Sequence, residues 1–382
     1  MHKIVLTAAA LLTLSCLTLF PSNHSSGNPT EPPLKLLPSA TRLPTQDVIS
    51  FETETPVPTT NAAPTLAISN YLKVTPDFDW EVDSASRITG ISISPNKERV
   101  AVFTLRPPEQ WWLEMRDTET GKLFWDVNVG VAKYNALAFS PDTNMIATGT
   151  GDGLVRSWDT KTGDLIQTYE GHTSASRYIV FSPDSSMIAS GGSDSTARVW
   201  DVMSGARLGI YQIKTNARDI AFSPDSRYLA VTTHYINVYD IFSESNEPTV
   251  YLDNNGDTKD MGEVAFSPNG QLLIGAGTWH DNQIDRWQYR LLAWDFPYNS
   301  SRPRNIPLDD AIEDVVIAPD NKVMICLYKD KGRMLLINIE DGEIRGDINI
   351  GSKLFLSYSP DIGTFAVVST KTKVTIWNVP EP

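Results

Sequence analysis

A two-part tag recurs seven times along the chain and constrains the fold more than any other feature of the sequence. The first part, which we call the first tag, is Ser-Pro-Asp or a close variant. Its copies begin at Ser94, Ser140, Ser182, Ser223, Ser267, Ala318 and Ser359. Successive copies lie 41 to 51 residues apart. The second part, which we call the second tag, is Trp-Asp or a variant. Its copies end at Asp117, Asp159, Asp201, Asp240, Asp295, Asn338 and Asn378. This strict alternation indicates seven copies of one supersecondary unit.

The residues between the tags are typical of short β-strands. Runs such as SMIASG, RYLAVTT and QLLIGAG are alternating or doubly apolar, and turn-forming residues separate them. In the first tag, Pro fixes φ and the Asp or Asn side chain can hydrogen-bond the backbone of the turn. We expect the flat Trp of the second tag to pack between neighbouring units.

The tags and their spacing resemble the WD-repeat β-propeller family over residues 71–382. This resemblance implies an all-β, seven-bladed β-propeller with four strands in each blade. Only Val-Pro-Glu-Pro follows the last tag, so the last blade lacks its outer strand. We predict that the segment 78–83, FDWEVD, docks there and closes the ring, which also removes an exposed sheet edge.

One polar grouping has the residue types of a catalytic site. WD-repeat blades contain a buried hydrogen-bonded chain, and the resemblance assigns it here to His172, Ser190, Asp194 and Trp200 in the third blade. A Ser, His and Asp set also occurs in hydrolases, but no G-x-S-x-G turn or oxyanion-hole loop accompanies it. We therefore expect a structural network and no catalytic residue.

Composition and motif spacing argue against several other functions. The net charge is −14, and no cluster of Lys and Arg offers a surface for nucleic acid. The segment 253–257, DNNGD, has the start of a calcium-loop spacing, but Thr258 and Val264 replace the Gly and Glu that such a loop needs. The five histidines lack zinc spacing, and no cofactor fingerprint is present. We expect no metal and no cofactor.

Insertions of aromatic and acidic residues mark the candidate binding surface. They lie at 104–112 and 278–290 and in the connections 252–263 and 306–314. Family geometry places these segments on one face of the ring, which we call the upper face. The candidate partner-binding residues are Trp111, Trp112, Trp279, His280, Trp287, Tyr289, Asp257, Asp260, Asp281, Asp285, Asp309 and Asp310. Exposed aromatic residues rimmed by charge are typical of binding patches. In the alternative, the Trp side chains fold back and cover the inserted loops.

The N-terminal residues predict export from the cytoplasm. A short apolar run ends at Ser15-Cys16, which resembles a bacterial lipoprotein signal, although Thr13 stands where Leu is usual. We expect residues 1–15 to be the signal peptide, Cys16 the lipidated residue and 16–70 a disordered tether rich in Pro, Ser and Thr. A plain secretory signal and an uncleaved anchor over residues 4–20 remain alternatives.

These observations favour a non-enzymatic scaffold in the cell envelope. It would bind a protein or peptide partner through its upper face as a monomeric domain, and it would contact the membrane only through a lipid anchor. The alternative is an envelope sensor or binding protein for a small ligand or glycan, with the aromatic residues of the first and fifth blades stacking on that ligand.

Overall fold

A computed structural model describes residues 75–130, 136–252, 258–281, 286–297, 303–328, 332–351, 355–359 and 363–378. Twenty-eight β-strands in these ranges form seven four-stranded antiparallel sheets. The predicted all-β, seven-bladed propeller is confirmed. Within these ranges, no helix has the length and apolar character needed to cross a membrane. The predicted signal peptide, the predicted lipidation residue Cys16 and the predicted tether lie outside the described residues.

The first strand, β1 (Thr75–Glu81), belongs to the last blade, and the following strands build the first three blades in order. Blade one contains β2 (Arg87–Ile93), β3 (Arg99–Arg106), β4 (Gln110–Asp117) and β5 (Leu123–Gly130). Blade two contains β6 (Ala136–Phe139), β7 (Met145–Gly149), β8 (Val155–Asp159) and β9 (Leu165–Tyr169). Blade three contains β10 (Ser176–Phe181), β11 (Met187–Gly192), β12 (Thr196–Asp201) and β13 (Arg207–Gln212).

The remaining four blades follow the same order of strands. Blade four contains β14 (Asp219–Phe222), β15 (Tyr228–Thr232), β16 (Ile236–Asp240) and β17 (Val250–Leu252). Blade five contains β18 (Thr258–Phe266), β19 (Leu272–Asp281), β20 (Arg286–Asp295) and β21 (Arg304–Leu308). Blade six contains β22 (Ile312–Ile317), β23 (Val323–Tyr328), β24 (Arg333–Asn338) and β25 (Ile344–Asn349). Blade seven contains β26 (Phe355–Tyr358), β27 (Thr364–Val368) and β28 (Lys373–Asn378), with β1 outermost.

Strand β1 closes the ring, as the sequence predicted. It pairs antiparallel with β28, and Trp80 lies opposite Val374. The strand begins and ends a few residues earlier than the predicted segment 78–83. Trp80 is buried, and its indole Nε1 donates to the Thr118 carbonyl oxygen of blade one at 3.0 Å. The N-terminal strand thus joins blade seven to blade one through both sheet pairing and side-chain packing.

The apolar core is divided among the seven contacts between adjacent blades. Each of seven buried clusters combines side chains of two neighbouring blades. Trp158, Trp200 and Trp294 of the second tag each pack against the preceding blade. The predicted interblade position of these Trp residues is confirmed. A single blade exposes both faces of its sheet, so each blade depends on its neighbours for stability.

The first tag forms a tight turn held by its own side chains. Ser182 Oγ donates to Asp184 Oδ1 at 2.6 Å, and the backbone amides of Ser186 and Met187 donate to Asp184 and Ser182 at 3.0 and 2.9 Å. Ser140 and Asp142 repeat the arrangement in blade two. The side chains satisfy turn backbone groups that would otherwise lack partners. The predicted role of this tag is confirmed.

The sequence predicted that the insertions in blades one and five form loops. In the structure they extend the second and third strands of each blade. Strands β3 and β4 have eight residues each and pair up to Arg106 and Gln110. Strands β19 and β20 have ten residues each and pair up to Asp281 and Arg286. Pairing satisfies the backbone of the inserted residues, so each insertion forms a β-ribbon at the upper face.

Candidate functional site

The blade-five ribbon, formed by β19 and β20, brings together several candidate residues along the backbone. Trp279 lies opposite Gln288, and His280 lies opposite Trp287. Tyr289 pairs with Leu308 of the outer strand. Asp260 and Asp281 also lie in strands of this sheet. Asp257 and Asp285 lie outside the described residues, as do the side chains of Asp260, Trp279, His280, Asp281 and Trp287.

A small cavity opens beside this ribbon. Its volume is about 130 Å³, and Arg218, Thr278, Tyr289, Arg290 and Ile312 are among the residues that line it. Tyr289 is partly exposed, whereas Arg290 is buried. The cavity therefore combines an aromatic ring with two guanidinium groups at the junction of blades four, five and six.

Asp309 takes part in a cluster of ion pairs next to the blade-five ribbon. Arg333 Nη1 donates to Asp309 Oδ2 at 2.7 Å, and Arg333 also holds Asp347 through two hydrogen bonds of 2.8 and 2.7 Å. The Tyr328 hydroxyl donates to Asp309 as well. This hydrogen bond and Arg333 lower the pKa of Asp309. Asp310 accepts the backbone amide of Ala311 at 2.8 Å.

Trp111 and Trp112 of blade one are half-buried against their own blade. Trp111 packs on the core shared by blades one and two. The Arg106 guanidinium lies over the Trp112 ring, 4.5 Å from its centroid. Glu114 is buried and accepts hydrogen bonds from Thr104 at 2.5 Å and Arg106 at 2.8 Å. Both side chains therefore make contacts within the propeller, and their role in partner binding stays a prediction.

The polar grouping of blade three is a buried network. His172 Nδ1 lies 2.9 Å from Asp194 Oδ1, and His172 Nε2 lies 2.7 Å from Ser190 Oγ. Asp194 also accepts the Thr196 hydroxyl at 2.7 Å. The Trp200 ring stands edge-on to the imidazole, with centroids 5.9 Å apart. Ser190 is fully buried, so its hydroxyl has no route to a substrate.

The protonation states in this network follow from burial and hydrogen bonding. Burial lowers the pKa of His172 below its ordinary 6.5, despite the nearby Asp194 carboxylate. Burial raises the pKa of Asp194, but hydrogen bonds from Thr196 and the Thr173 amide outweigh it and lower the pKa overall. A neutral imidazole thus donates from Nδ1 to an ionised carboxylate, and the Ser190 hydroxyl donates to Nε2.

A cluster of acidic residues at the centre of the ring was not predicted from the sequence. A cavity of about 370 Å³ lies there, and Asp314 and Tyr178 line it. Asp219 and Glu263 interact electrostatically with Asp314 and hydrogen-bond each other. The Tyr358 hydroxyl donates to Asp314. The cluster therefore connects the innermost strands of blades four, five, six and seven.

Two carboxyl groups of this central cluster share a proton. Burial and the Asp314 carboxylate raise the pKa of Asp219 to about 7, and burial with the neighbouring carboxylates raises the pKa of Glu263 well above 4.5. Asp219 accepts the backbone amides of Ile220 at 2.8 Å and Val264 at 2.9 Å. These donors favour an ionised Asp219, so Glu263 retains the proton and donates to it. The other titratable or charged groups around the pair are Arg177, Tyr178, Arg218, Glu313, Asp314 and Tyr358.

The acids of the central cluster occupy the same position in successive repeats, so the sequence could have predicted the cluster. In every blade, the residue four positions before the start of the first tag lies on the innermost strand. These seven residues are Gly90, Ala136, Tyr178, Asp219, Glu263, Asp314 and Phe355. Three consecutive blades have an acid there. Alignment of the seven copies would have placed these acids side by side.

Among the described residues, no group of three or more His, Cys, Asp and Glu side chains has the geometry to hold a metal ion.

Comparison with known proteins supports the repeat assignment. Residues 130–159 and 163–201 match the family described as "WD domain, G-beta repeat". The first match contains the first three strands of blade two. The second match contains the outer strand of blade two and the first three strands of blade three. A search of curated proteins gave no match to the chain. The two matched repeats and the seven-bladed architecture around them show that this chain resembles the WD-repeat family.

Proposed function

We propose that this protein is a non-enzymatic scaffold that binds a protein or peptide partner through the upper face of blades five and six. The blade-five ribbon is the observation that carries the proposal. Its strands have ten residues each, whereas every strand of blade three has six. The WD-repeat fold is itself typical of protein-interaction scaffolds. The ribbon extends the backbone of blade five beyond the length of the blade-three strands.

The surroundings of the ribbon supply a mixed binding chemistry. Tyr289 lines the small cavity and is partly exposed, so its ring offers an apolar surface for stacking. Asp309 is 59% exposed at its side chain and is held in place by Arg333. A preorganised charge costs a partner less ordering entropy than a mobile one. We therefore expect a partner that presents an apolar group beside Tyr289 and a basic group to Asp309.

Site-specific photo-crosslinking in the native envelope tests this surface. A photoreactive residue at Gln288 of the blade-five ribbon should give a discrete crosslinked product with one partner. The matched control has the same residue at Met203, which is 77% exposed in the connection between β12 and β13 on the opposite face. Met203 should give no such product. Equal crosslinking from both positions, or none from Gln288, would contradict the proposed surface.

We further propose that the chain is exported and anchored through a lipid on Cys16, so that the monomeric propeller faces outside the cytoplasm. The apolar run before Ser15-Cys16 supports this location. Mass spectrometry of the mature protein should find an acylated N-terminal peptide that begins at Cys16. The variant Cys16→Ala should then lose the acyl mass. A mature chain that begins beyond Cys16, or one that retains Met1, would contradict the anchor.

A further inference from the structure

The lower face of the ring, opposite the upper face, holds the connections between the third and outer strands of blades one to six. Each connection follows directly after a second tag, because that tag ends the third strand. In blades three and four these connections present the two most exposed large apolar side chains of the described chain, Met203 at 77% and Phe242 at 70%. Both residues stand two positions after the end of the tag.

The same turn position is charged in three other blades. It is Glu119 in blade one, Lys161 in blade two and Glu340 in blade six, and all three are exposed. Charged side chains are the ordinary choice for an exposed position. The turn therefore does not need an apolar residue there, and folding of the turn does not explain Met203 and Phe242.

Further exposed apolar side chains lie at the same edge of the ring. Ten large apolar residues are exposed in the described part of the chain, and eight of them fall within seven residues after a second tag. Besides Met203 and Phe242, these are Leu123, Phe124, Leu165, Ile166, Leu208 and Ile344. These six are the first or second residue of an outer strand, so they lie next to the lower face. Such an accumulation at one edge is typical of an interaction surface.

The N-terminal part of the chain enters the propeller at this lower face. Thr75, the first residue of β1, lies opposite Asn378, which ends the second tag of blade seven. The strand then runs away from the lower face to Glu81, which lies opposite Lys373. An anchor that precedes Thr75 is therefore attached to the ring at its lower face, on the side away from the blade-five ribbon.

The charges around the two apolar turns decide which lipid they suit. They belong to Asp184, Asp201, Arg207, Asp225, Arg227, Asp240, Glu244 and Glu247. Acids outnumber arginines, so an anionic membrane surface would repel this part of the lower face. Asp201 accepts the Ser204 amide at 2.8 Å, and Asp240 pairs with Arg227 at 2.8 Å, so both carboxylates have partners within the protein. Apolar insertion into a zwitterionic bilayer fits these residues best.

We propose that the lower face of blades three and four docks on a zwitterionic phospholipid bilayer, with Met203 and Phe242 inserted at the level of the headgroups. The inference rests on the proposed membrane anchor, which supplies the tether. A flexible chain of about 60 residues spans roughly 40 Å, so it keeps the ring close enough for weak contacts to form. A second copy of the chain is a poorer occupant, because it would bring two acidic surfaces together.

Photo-crosslinking to lipid tests this docking. The full chain is coupled through the Cys16 thiol to a maleimide phospholipid in phosphatidylcholine vesicles, so the assay does not depend on acylation in the cell. Cys326 is buried and should not react. A photoreactive residue at Phe242 should give peptides that carry the mass of phosphatidylcholine, whereas one at Gln288 on the blade-five ribbon should give none. No lipid adduct at Phe242, or equal adducts at both positions, would overturn the docking.

Exchanges at the shared turn position test the two apolar side chains themselves. A photoreactive residue at Leu208 reports on the same edge. Met203→Lys combined with Phe242→Glu should reduce its lipid adduct at least about tenfold, because the inserted apolar surface is lost. The net charge is unchanged, and other blades have Lys and Glu at this position, so the thermal unfolding midpoint should stay close to that of the wild type.

The matched control exchanges the charged residues of the neighbouring blades. Glu119→Lys combined with Lys161→Glu also keeps the net charge and should leave the adduct at Leu208 unchanged. An equal loss in both double variants, or in neither, would contradict insertion of the apolar pair.

Two further outcomes would also overturn the docking. Crosslinks from Phe242 to a second copy of the chain, in place of lipid, would assign the face to a dimer. Loss of the adduct in about 0.5 M NaCl would indicate a charge contact, since salt does not screen apolar insertion. A mature protein without an acyl group would contradict the proposed anchor and leave these vesicle results as they are, so the two failures are distinguishable.

Discussion

Blade three and the centre of the ring hold carboxyl groups in opposite protonation states. Asp194 accepts hydrogen bonds from His172, Thr196 and a backbone amide, so its pKa is lowered despite burial. Burial, together with the neighbouring carboxylates of Asp219 and Asp314, raises the pKa of Glu263. The difference shows that the number of donors around a carboxyl group decides its charge more than burial alone does.

The two regions should therefore respond to pH in opposite ways. The unfolded chain protonates His172 near pH 6.5, whereas the folded chain resists protonation, so blade three loses stability as the pH falls below about 6.5. Glu263 remains protonated in the folded chain above its ordinary pKa of 4.5. Its contribution is fully present below pH 4.5 and is lost as the pH rises towards its higher folded pKa.

The largest effect should come from removal of the strand that closes the ring, since both regions depend on it. Deletion of Thr75–Glu81 leaves β28 without its partner and exposes the core that Trp80 covers. We expect cooperative unfolding to be lost and amide protection to fall in blade three and blade five together. Hydrogen exchange measured blade by blade would check this. Protection unchanged in both blades would contradict closure by β1.

Removal of the buried carboxylate of blade three should have the next largest effect. Asp194→Ala leaves His172 and Thr196 without their shared acceptor, and we expect a loss of about 3 kcal/mol in the free energy of unfolding. The matched control is Asp152→Ala in blade two, where the side chain is 45% exposed. Its expected cost is below about 1 kcal/mol. Urea unfolding at pH 7 would measure both, and similar costs would refute the special role of the blade-three network.

The central cluster can be tested with a neutral isostere of its protonated residue. Glu263→Gln keeps a donor to Asp219 but has no proton to lose. We expect its stability relative to the wild type to increase with pH above about 4.5, by at most about 1.4 kcal/mol per pH unit. Glu244→Gln, which changes an exposed carboxyl group of blade four, is the matched control. Unfolding free energies between pH 5 and 8 would give the sign, and a decreasing difference would contradict the shared proton.

The smallest effect concerns the turn of the first tag. Thr143 of blade two has φ of 65°, a left-handed conformation that strains a β-branched residue, whereas Gly270 occupies the same turn position in blade five with φ of 69°. Thr143→Gly should relieve this strain and stabilise the fold by about 0.5 kcal/mol, after the entropy of the unfolded chain is included. The reverse change, Gly270→Ala, should destabilise it. Thermal unfolding midpoints would compare the two blades.

The repeat made much of the fold predictable. The turn tags, the interblade Trp residues and the closing strand follow from spacing and local chemistry, because each blade copies one unit and the segment before the first tag has the pattern of an additional strand. The His172 network was assigned through the family resemblance. The insertions were harder to interpret, since aromatic and acidic residues occur both in loops and in extended ribbons. Backbone pairing, which decides between the two, depends on the neighbouring strand.

The sequence by itself determined the number and order of the blades, since each blade has its own copy of the two-part tag. It also determined the residues of each turn, since these depend on contacts within a single repeat. Only the tertiary structure decided which residues of different repeats meet. It brought Asp219, Glu263 and Asp314 together at the centre of the ring, and it placed Met203 and Phe242 on the face at which β1 begins. The acids are about 45 residues apart in sequence, one repeat period. Their proximity, and therefore their pKa values, arises only when the ring closes.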